Sequence, residues 1–127
     1  MDVTFLSIED VLRIHERVLA KDGGLGGVRD VGLLSAAVMM PQQSFGGNYL
    51  HEDLAGMAAA YLFHLAKNHP FFDGNKRVAL ASALTFLIAN GVSKLPTEDD
   101  AAETTLAVAA GQMTKELLTR WFRSILG

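Results

Sequence analysis

Apolar residues recur at helical spacing along most of this 127-residue chain, and turn and capping residues punctuate the gaps. Ser7-Ile8-Glu9-Asp10 reads as a capping box with aspartate in the usual glutamate place. Ile8, Val11, Leu12, His15, Val18 and Leu19 then keep helical spacing and predict a first helix to about Ala20. The run Asp22 to Gly27 forms a turn, because each glycine in a helix costs about 1 kcal/mol relative to alanine. Asp30 is placed to cap a second helix, which carries Leu33, Leu34, Ala37 and Val38 and stops near Pro41. Gln42 to Tyr49 has turn residues, two aromatics and no sustained period, and reads as a mobile loop or short hairpin in the form of a flap.

A third helix is expected from about Glu52 to Lys67, with Leu54, Met57, Ala58, Tyr61, Leu62 and Leu65 inward and small residues that permit close packing. Beyond a loop at 69–74, a fourth runs from about Asn75 to Asn90, with Leu80, Leu84, Leu87 and Ile88 as core positions and Gly91 at its left-handed C-cap. Thr97-Glu98-Asp99-Asp100 opens an alanine-rich helix to about Ala110, and Thr114 caps a last one through Trp121 to Ile125. The expected fold class is all-α: a compact bundle of about six helices with a short flap loop or hairpin. No repeat, low-complexity segment or linker divides residues 1–127, so one domain is expected. A domain of this length buries roughly two thirds of its unfolded surface and needs no covalent staple.

Composition removes several function classes. The chain is 50% hydrophobic and 20% charged, an ordinary globular balance, and with no cysteine it excludes disulfides and thiolate metal sites. The N-terminus lacks the basic and apolar segments of a signal peptide, and no apolar stretch reaches the roughly 18 residues of a membrane span. A cytoplasmic location without membrane contact is therefore expected. Net charge is -3 and the 11 basic residues are scattered, which argues against a direct nucleic-acid interface.

One segment concentrates chemistry: His69-Pro70-Phe71-Phe72-Asp73-Gly74-Asn75-Lys76-Arg77. A helix N-terminus carries positive partial charge and favours acids in its first turn, yet Lys76 and Arg77 stand there. Two cations against a like-signed dipole make sense if a polyanion such as a nucleotide phosphate occupies the site. Gly74 lets the backbone turn tightly, so that its N–H group and those after it can form an anion-holding nest. Asp73 offers a hard oxygen to one Mg2+ ion, and His69 a base for an attacking hydroxyl. Pro70 and Phe71 are expected to stiffen the loop and anchor it in the core.

This run resembles the Fic-superfamily motif, His-Pro-Phe-x-Asp/Glu-Gly-Asn-Gly-Arg, with Lys76 in place of the second glycine as in the death-on-curing (Doc) toxins. The resemblance extends through the Gly-Gly-Leu-x-Gly turn, the small-residue helix and the Ala-Leu-x-Phe-Leu run ending at Asn90-Gly91. It implies a toxin of a type II toxin-antitoxin module that uses ATP and Mg2+ to phosphorylate a hydroxyl of elongation factor Tu and arrest translation. It also implies that His69 is the general base and Asp73 the magnesium ligand, with Gly74, Asn75, Lys76 and Arg77 holding phosphate. A bulky cation at position 76 should crowd the usual pyrophosphate position and favour a reversed nucleotide presenting its γ-phosphate. Transfer of AMP to a protein hydroxyl, or a noncatalytic protein-interaction domain, are the alternatives.

Fic-type sites are often silenced by a helix bearing Ser/Thr-x-x-x-Glu, and no Ser or Thr here is followed four positions later by Glu. Inhibition is therefore expected in trans from a cognate antitoxin, with DNA bound only through that partner. Phe45, Asn48 and Tyr49 lie where the family has its flap. His15, His51 and His64 read as polar core or surface residues rather than zinc ligands. Met39, Met40 and Met57 read as core filling, Trp121 and Phe122 as the docking residues of the last helix, and Lys67 and Asn68 as solvated helix-end residues.

Overall fold

The expected caps form and set the element boundaries of the computed structural model, which describes residues 2–127. Among these residues the helices are α1 (Ile8–Asp22), α2 (Val31–Met39), α3 (Leu54–Asn68), α4 (Asn75–Ala89), α5 (Glu98–Ala109) and α6 (Lys115–Leu126). Ser7 and Asp10 close a reciprocal capping box on α1, and Asp30, Asp53, Thr97 and Thr114 each accept an N–H from the first turn of their helix. α1 continues to Asp22, beyond the expected end, because the helical ladder closes only where Gly23 N–H donates to the Leu19 carbonyl at 2.7 Å. A short 3-10 turn, Met40–Gln42, and an antiparallel hairpin, β1 (Ser44–Phe45) with β2 (Asn48–Tyr49), connect α2 to α3. Gly46 and Gly47 both hold positive φ, as the tight hairpin turns require.

α3 is the central helix, packed against α2, α4, α5 and α6. Ala58, Ala59, Ala60, Tyr61 and Leu62 are all fully buried, so its apolar surface wraps round the helix. Alanine at three of these positions brings neighbouring backbones close. The one polar side-chain atom of Tyr61 is satisfied inside the core: Leu6 N–H donates to its hydroxyl at 2.8 Å, and burial pushes the phenol up to about 12.

The buried face of α4 is Val78, Ala79, Ser82, Ala83, Phe86 and Leu87. Of the core positions expected there, Leu87 is buried, Leu80 and Leu84 are half-buried, and Ile88 is 59% exposed. The error has a physical source: a helix rich in alanine buries its small residues against α3 and turns some larger ones outward. Met57 fills the core as expected, whereas Met39 is exposed and Met40 half-buried. Phe122 docks α6 with Trp121 half-buried beside it, their rings edge to face at 4.9 Å. The hairpin has the form of a flap, as expected, and an aromatic chain anchors it. Tyr49 packs edge-on against Phe5 at 5.4 Å, and Phe5 stacks on Phe86 near the end of α4.

Candidate active site

The C-terminus of α3 and the N-terminus of α4 meet across the loop 69–74, which places a negative and a positive helix end side by side. His69 forms the C-cap of α3 at φ 53 and ψ 53, and it is the one non-glycine at positive φ among the described residues. A left-handed conformation costs a side chain with a Cβ about 1–2 kcal/mol, so its surroundings must hold it. Arg29 does much of this. Its Nε donates to the His69 carbonyl at 2.8 Å and its Nη2 to the Asn68 carbonyl at 3.1 Å, capping the end of α3 with a cation. The N–H groups of Arg29 and Asp30 both donate to the Pro70 carbonyl, at 2.7 and 3.1 Å, and Val28 pairs with Phe71 in an isolated antiparallel bridge.

Phe71 is fully buried and anchors the loop as expected. Buried His15 stacks on it with ring centroids 3.9 Å apart, and His15 Nε2 donates to the Asp73 carbonyl at 3.0 Å. Because a carbonyl can only accept, this contact fixes the proton of His15 on Nε2. His15 is thus a polar core residue, and its job is to hold the loop.

Asn75 is 4% exposed, and its amide is spent inside the loop: Oδ1 accepts from Phe71 N–H and Nδ2 donates to the Phe71 carbonyl, both at 2.9 Å. What Asn75 offers a ligand is therefore its backbone N–H. Gly74 stands at the N-cap of α4 with φ 82 and ψ 11, and no side chain caps that helix end. Its first-turn N–H groups and the Lys76 and Arg77 side chains are left to face the cleft. A side chain at Gly74 would be strained by the positive φ and pressed against Val18 at 3.4 Å.

The glycine turn before α2 closes the other side. Leu25 N–H donates to Asp73 Oδ2 at 2.6 Å, and a Cβ on Gly24 would lie 3.1 Å from that of Asp73. One carboxylate oxygen is thus fixed, and the other accepts no hydrogen bond among the described residues. Arg77 Nη1 lies 3.7 Å from Asp22 Oδ2 at the end of α1. The cleft, about 270 Å3, is lined by His69, Asp73, Gly74, Asn75, Lys76 and Arg77 together with Phe72. The structure thus gathers the sequence-derived site residues in one place, with His69 exposed at its edge.

The geometry fits an anion with a hard cation beside it: uncapped N–H groups, a left-handed glycine, two cations and a half-satisfied carboxylate. Among the described residues no cluster of three or more His, Cys, Asp or Glu could enclose a metal ion. A sequence model of the Fic/DOC family matches residues 5–87, from the segment before α1 through most of α4. The chain belongs to the Fic/DOC family. Within this family it is 48% identical over 88 residues to toxin Doc of Mycolicibacterium smegmatis, covering 69% of this chain and 65% of that protein. It is 32% identical over 122 residues to protein kinase doc of Escherichia phage P1, covering 96% of this chain and 95% of the phage protein. The likeness to the phage protein thus takes in α5 and α6, beyond the family match.

Sequence reasoning missed Arg29, which acts 40 positions from His69 and carries no local signature. It also read Asn68 as solvated, whereas Asn68 Nδ2 donates to the Leu33 carbonyl at 3.0 Å and ties α3 to α2. His51 and His64 lie away from the site, under Lys115. Lys115 Nζ is 3.3 Å from His64 Nε2, and burial, aided by Lys115, pushes His64 down to about 4. No helix among the described residues is long and apolar enough to cross a membrane.

Proposed function

We propose that this Fic/DOC protein is a Doc-type toxin that transfers the γ-phosphoryl group of ATP to a Ser/Thr hydroxyl of a translation factor resembling elongation factor Tu. The observation that carries this reading is the uncapped N-terminus of α4, where Gly74 is left-handed and Lys76 and Arg77 replace the usual first-turn acids. Such an end favours bound phosphate over an empty state. The names of the two relatives support the direction, one being a toxin and the other a protein kinase.

His69 takes the proton from the acceptor hydroxyl as its oxygen forms a bond to the γ-phosphorus. The bond from that phosphorus to the β,γ-bridging oxygen breaks, and ADP leaves with the electron pair. The N–H groups of α4 with Lys76 and Arg77 neutralise charge on the phosphate oxygens. Asp73, held by Leu25 N–H through one oxygen, would hold Mg2+ through the other, and the ion would supply charge neutralisation to the triphosphate. Lys76 supports phosphoryl over AMP transfer in this reading, because a bulky cation where the family motif has glycine would crowd the pyrophosphate of an AMP-transferring site.

An antitoxin is the proposed regulator, with DNA reached only through it. A groove of about 450 Å3 between α1, α4 and the start of α5 suits an apolar segment with charged flanks: Ile14, Val18, Leu80 and Leu84 line it, with Arg17, Lys21 and Arg77 beside Asp22 and Glu98. Leu80 and Leu84, only half-buried, would be covered by that segment.

The test is intact-protein mass spectrometry of elongation factor Tu after incubation with the chain, ATP and Mg2+, beside a His69→Ala control. A gain of one phosphoryl group that the control lacks is the expected result. A gain of one AMP would instead establish the alternative transfer. No gain on this acceptor would remove elongation factor Tu as the target.

A further inference from the structure

The phosphate cleft has one apolar wall, and it belongs to Phe72. Phe72 stands between Phe71, which is fully buried, and Asp73, whose carboxylate is fixed by Leu25 N–H, so its backbone is held on both sides. Its ring is seated on the glycine turn: a Cβ added to Gly27, which holds φ 101, would lie 3.5 Å from two of the ring carbons. The ring is nevertheless 48% exposed, and Leu25, on the same turn but outside the cleft lining, is 63% exposed. Neither belongs to the hydrophobic core. A lone exposed apolar residue is ordinary, but two held against Asp73 at a reactive cleft point to something that covers them.

Resting on the proposed phosphoryl transfer, we propose that Phe72 and Leu25 select the acceptor: the protein segment that brings its hydroxyl to His69 carries an apolar side chain next to the Ser or Thr. The other walls of the cleft are committed. Lys76, Arg77 and the N–H groups of α4 face phosphate, the free oxygen of Asp73 faces the ion, and His69 at the edge takes the proton. A hydroxyl reaching His69 enters from that edge, and its chain neighbour passes over the wall still open, which is Phe72 with Leu25 beside it on the glycine turn. An aliphatic or aromatic neighbour removes apolar surface from water there, and a ring already held in place loses little freedom on being covered. Charged neighbours fare worse. An acidic one meets the Asp73 carboxylate and the γ-phosphate, and a basic one is drawn off the ring toward those same anions, where it competes with Lys76 and Arg77. Phe72 and Leu25 thus determine specificity without touching the reacting atoms.

A peptide mixture with one central Ser or Thr and randomised neighbours, incubated with the chain, ATP and Mg2+, tests this through the sequences of the phosphopeptides formed. Wild type is expected to favour Leu, Ile, Val, Met or Phe over charged residues next to the hydroxyl by about tenfold, the lower end of what an apolar contact discriminates. Phe72→Ser should lose most of that preference. Leu25→Asp, on a side chain outside the cleft lining, should shift it toward Lys and Arg, a gain that misfolding cannot imitate. No apolar preference in wild type, or one kept in either variant, would overturn the assignment. Transfer to elongation factor Tu with none to any peptide would do the same, because recognition would then lie away from the neighbouring residue. Transfer to neither would instead remove the proposed phosphoryl transfer, and this inference with it.

Discussion

At His69 the fold holds a non-glycine residue in a left-handed conformation at the end of a helix, and the proposed chemistry needs that side chain there. Function and stability should therefore diverge at this position. His69→Gly is expected to raise stability by about 1 kcal/mol, read as a higher Tm, while abolishing phosphoryl transfer. A lower Tm would show that the left-handed backbone is not a cost. Ser82 gives a second residue-scale test: its hydroxyl is fully buried in α4 and has no hydrogen-bond partner. Ser82→Ala removes an unsatisfied group and improves helix propensity, so a gain of roughly 0.5–1.5 kcal/mol in chemical denaturation is expected, with transfer unchanged. At this scale the motif was legible from residue types alone, including His69, Asp73 and the cations. The use of Asn75 was not, because an amide that closes its own loop and one that grips phosphate look the same in a sequence.

At the scale of elements, the site is two helix ends and the segment that fixes them. Arg29 reaches from just before α2 to the carbonyls of Asn68 and His69, but it does not line the phosphate cleft. It is a positioning residue for His69. Arg29→Met keeps much of the stem and removes the charged donors, and is expected to destabilise the fold by about 1–2 kcal/mol. Its kcat should fall at least tenfold while KM for ATP stays nearly constant, since the phosphate cradle on α4 is untouched. A rise in KM with unchanged kcat would place Arg29 in nucleotide binding instead. The helices themselves were readable from caps and periodicity, most closely where Ser7, Asp30, Thr97 and Thr114 cap them. The inward face of α4 was misread at Ile88 and only partly right at Leu80 and Leu84, because periodicity weights bulk and α4 instead buries alanine and serine among its inward residues.

At the scale of the whole molecule, acid should loosen the seat of α6 on α3. His64 accepts a hydrogen bond from Lys115 at the start of α6, so it must be neutral in the folded state, with its pKa pushed down to about 4 from an unfolded value of 6.5. The unfolded chain then binds the extra proton between these values, so the stabilisation is complete above about pH 6.5 and lost as pH falls toward 4. Because His64 is only half-buried, the loss at pH 5 relative to pH 7 is on the order of 1 kcal/mol. A His64→Gln variant should show a flatter Tm profile over that interval, and an unchanged slope would exclude His64 as its source. Asp53, held below the ordinary carboxylate range by its bond to Arg123, adds a further loss only below about pH 4.

The amino-acid sequence by itself determined the helices, their caps and the reactive motif, because these depend on residues within a few positions of one another. It also carried the Lys76 substitution that distinguishes phosphoryl from AMP transfer in the proposed reaction. Tertiary structure decided what holds the motif: His15 and Leu25 on Asp73, and Arg29 on His69. These contacts join residues 40 to 58 positions apart, and they exist only once the core has packed around α3. Local spacing encodes which groups are present; the burial of a shared core encodes which of them meet.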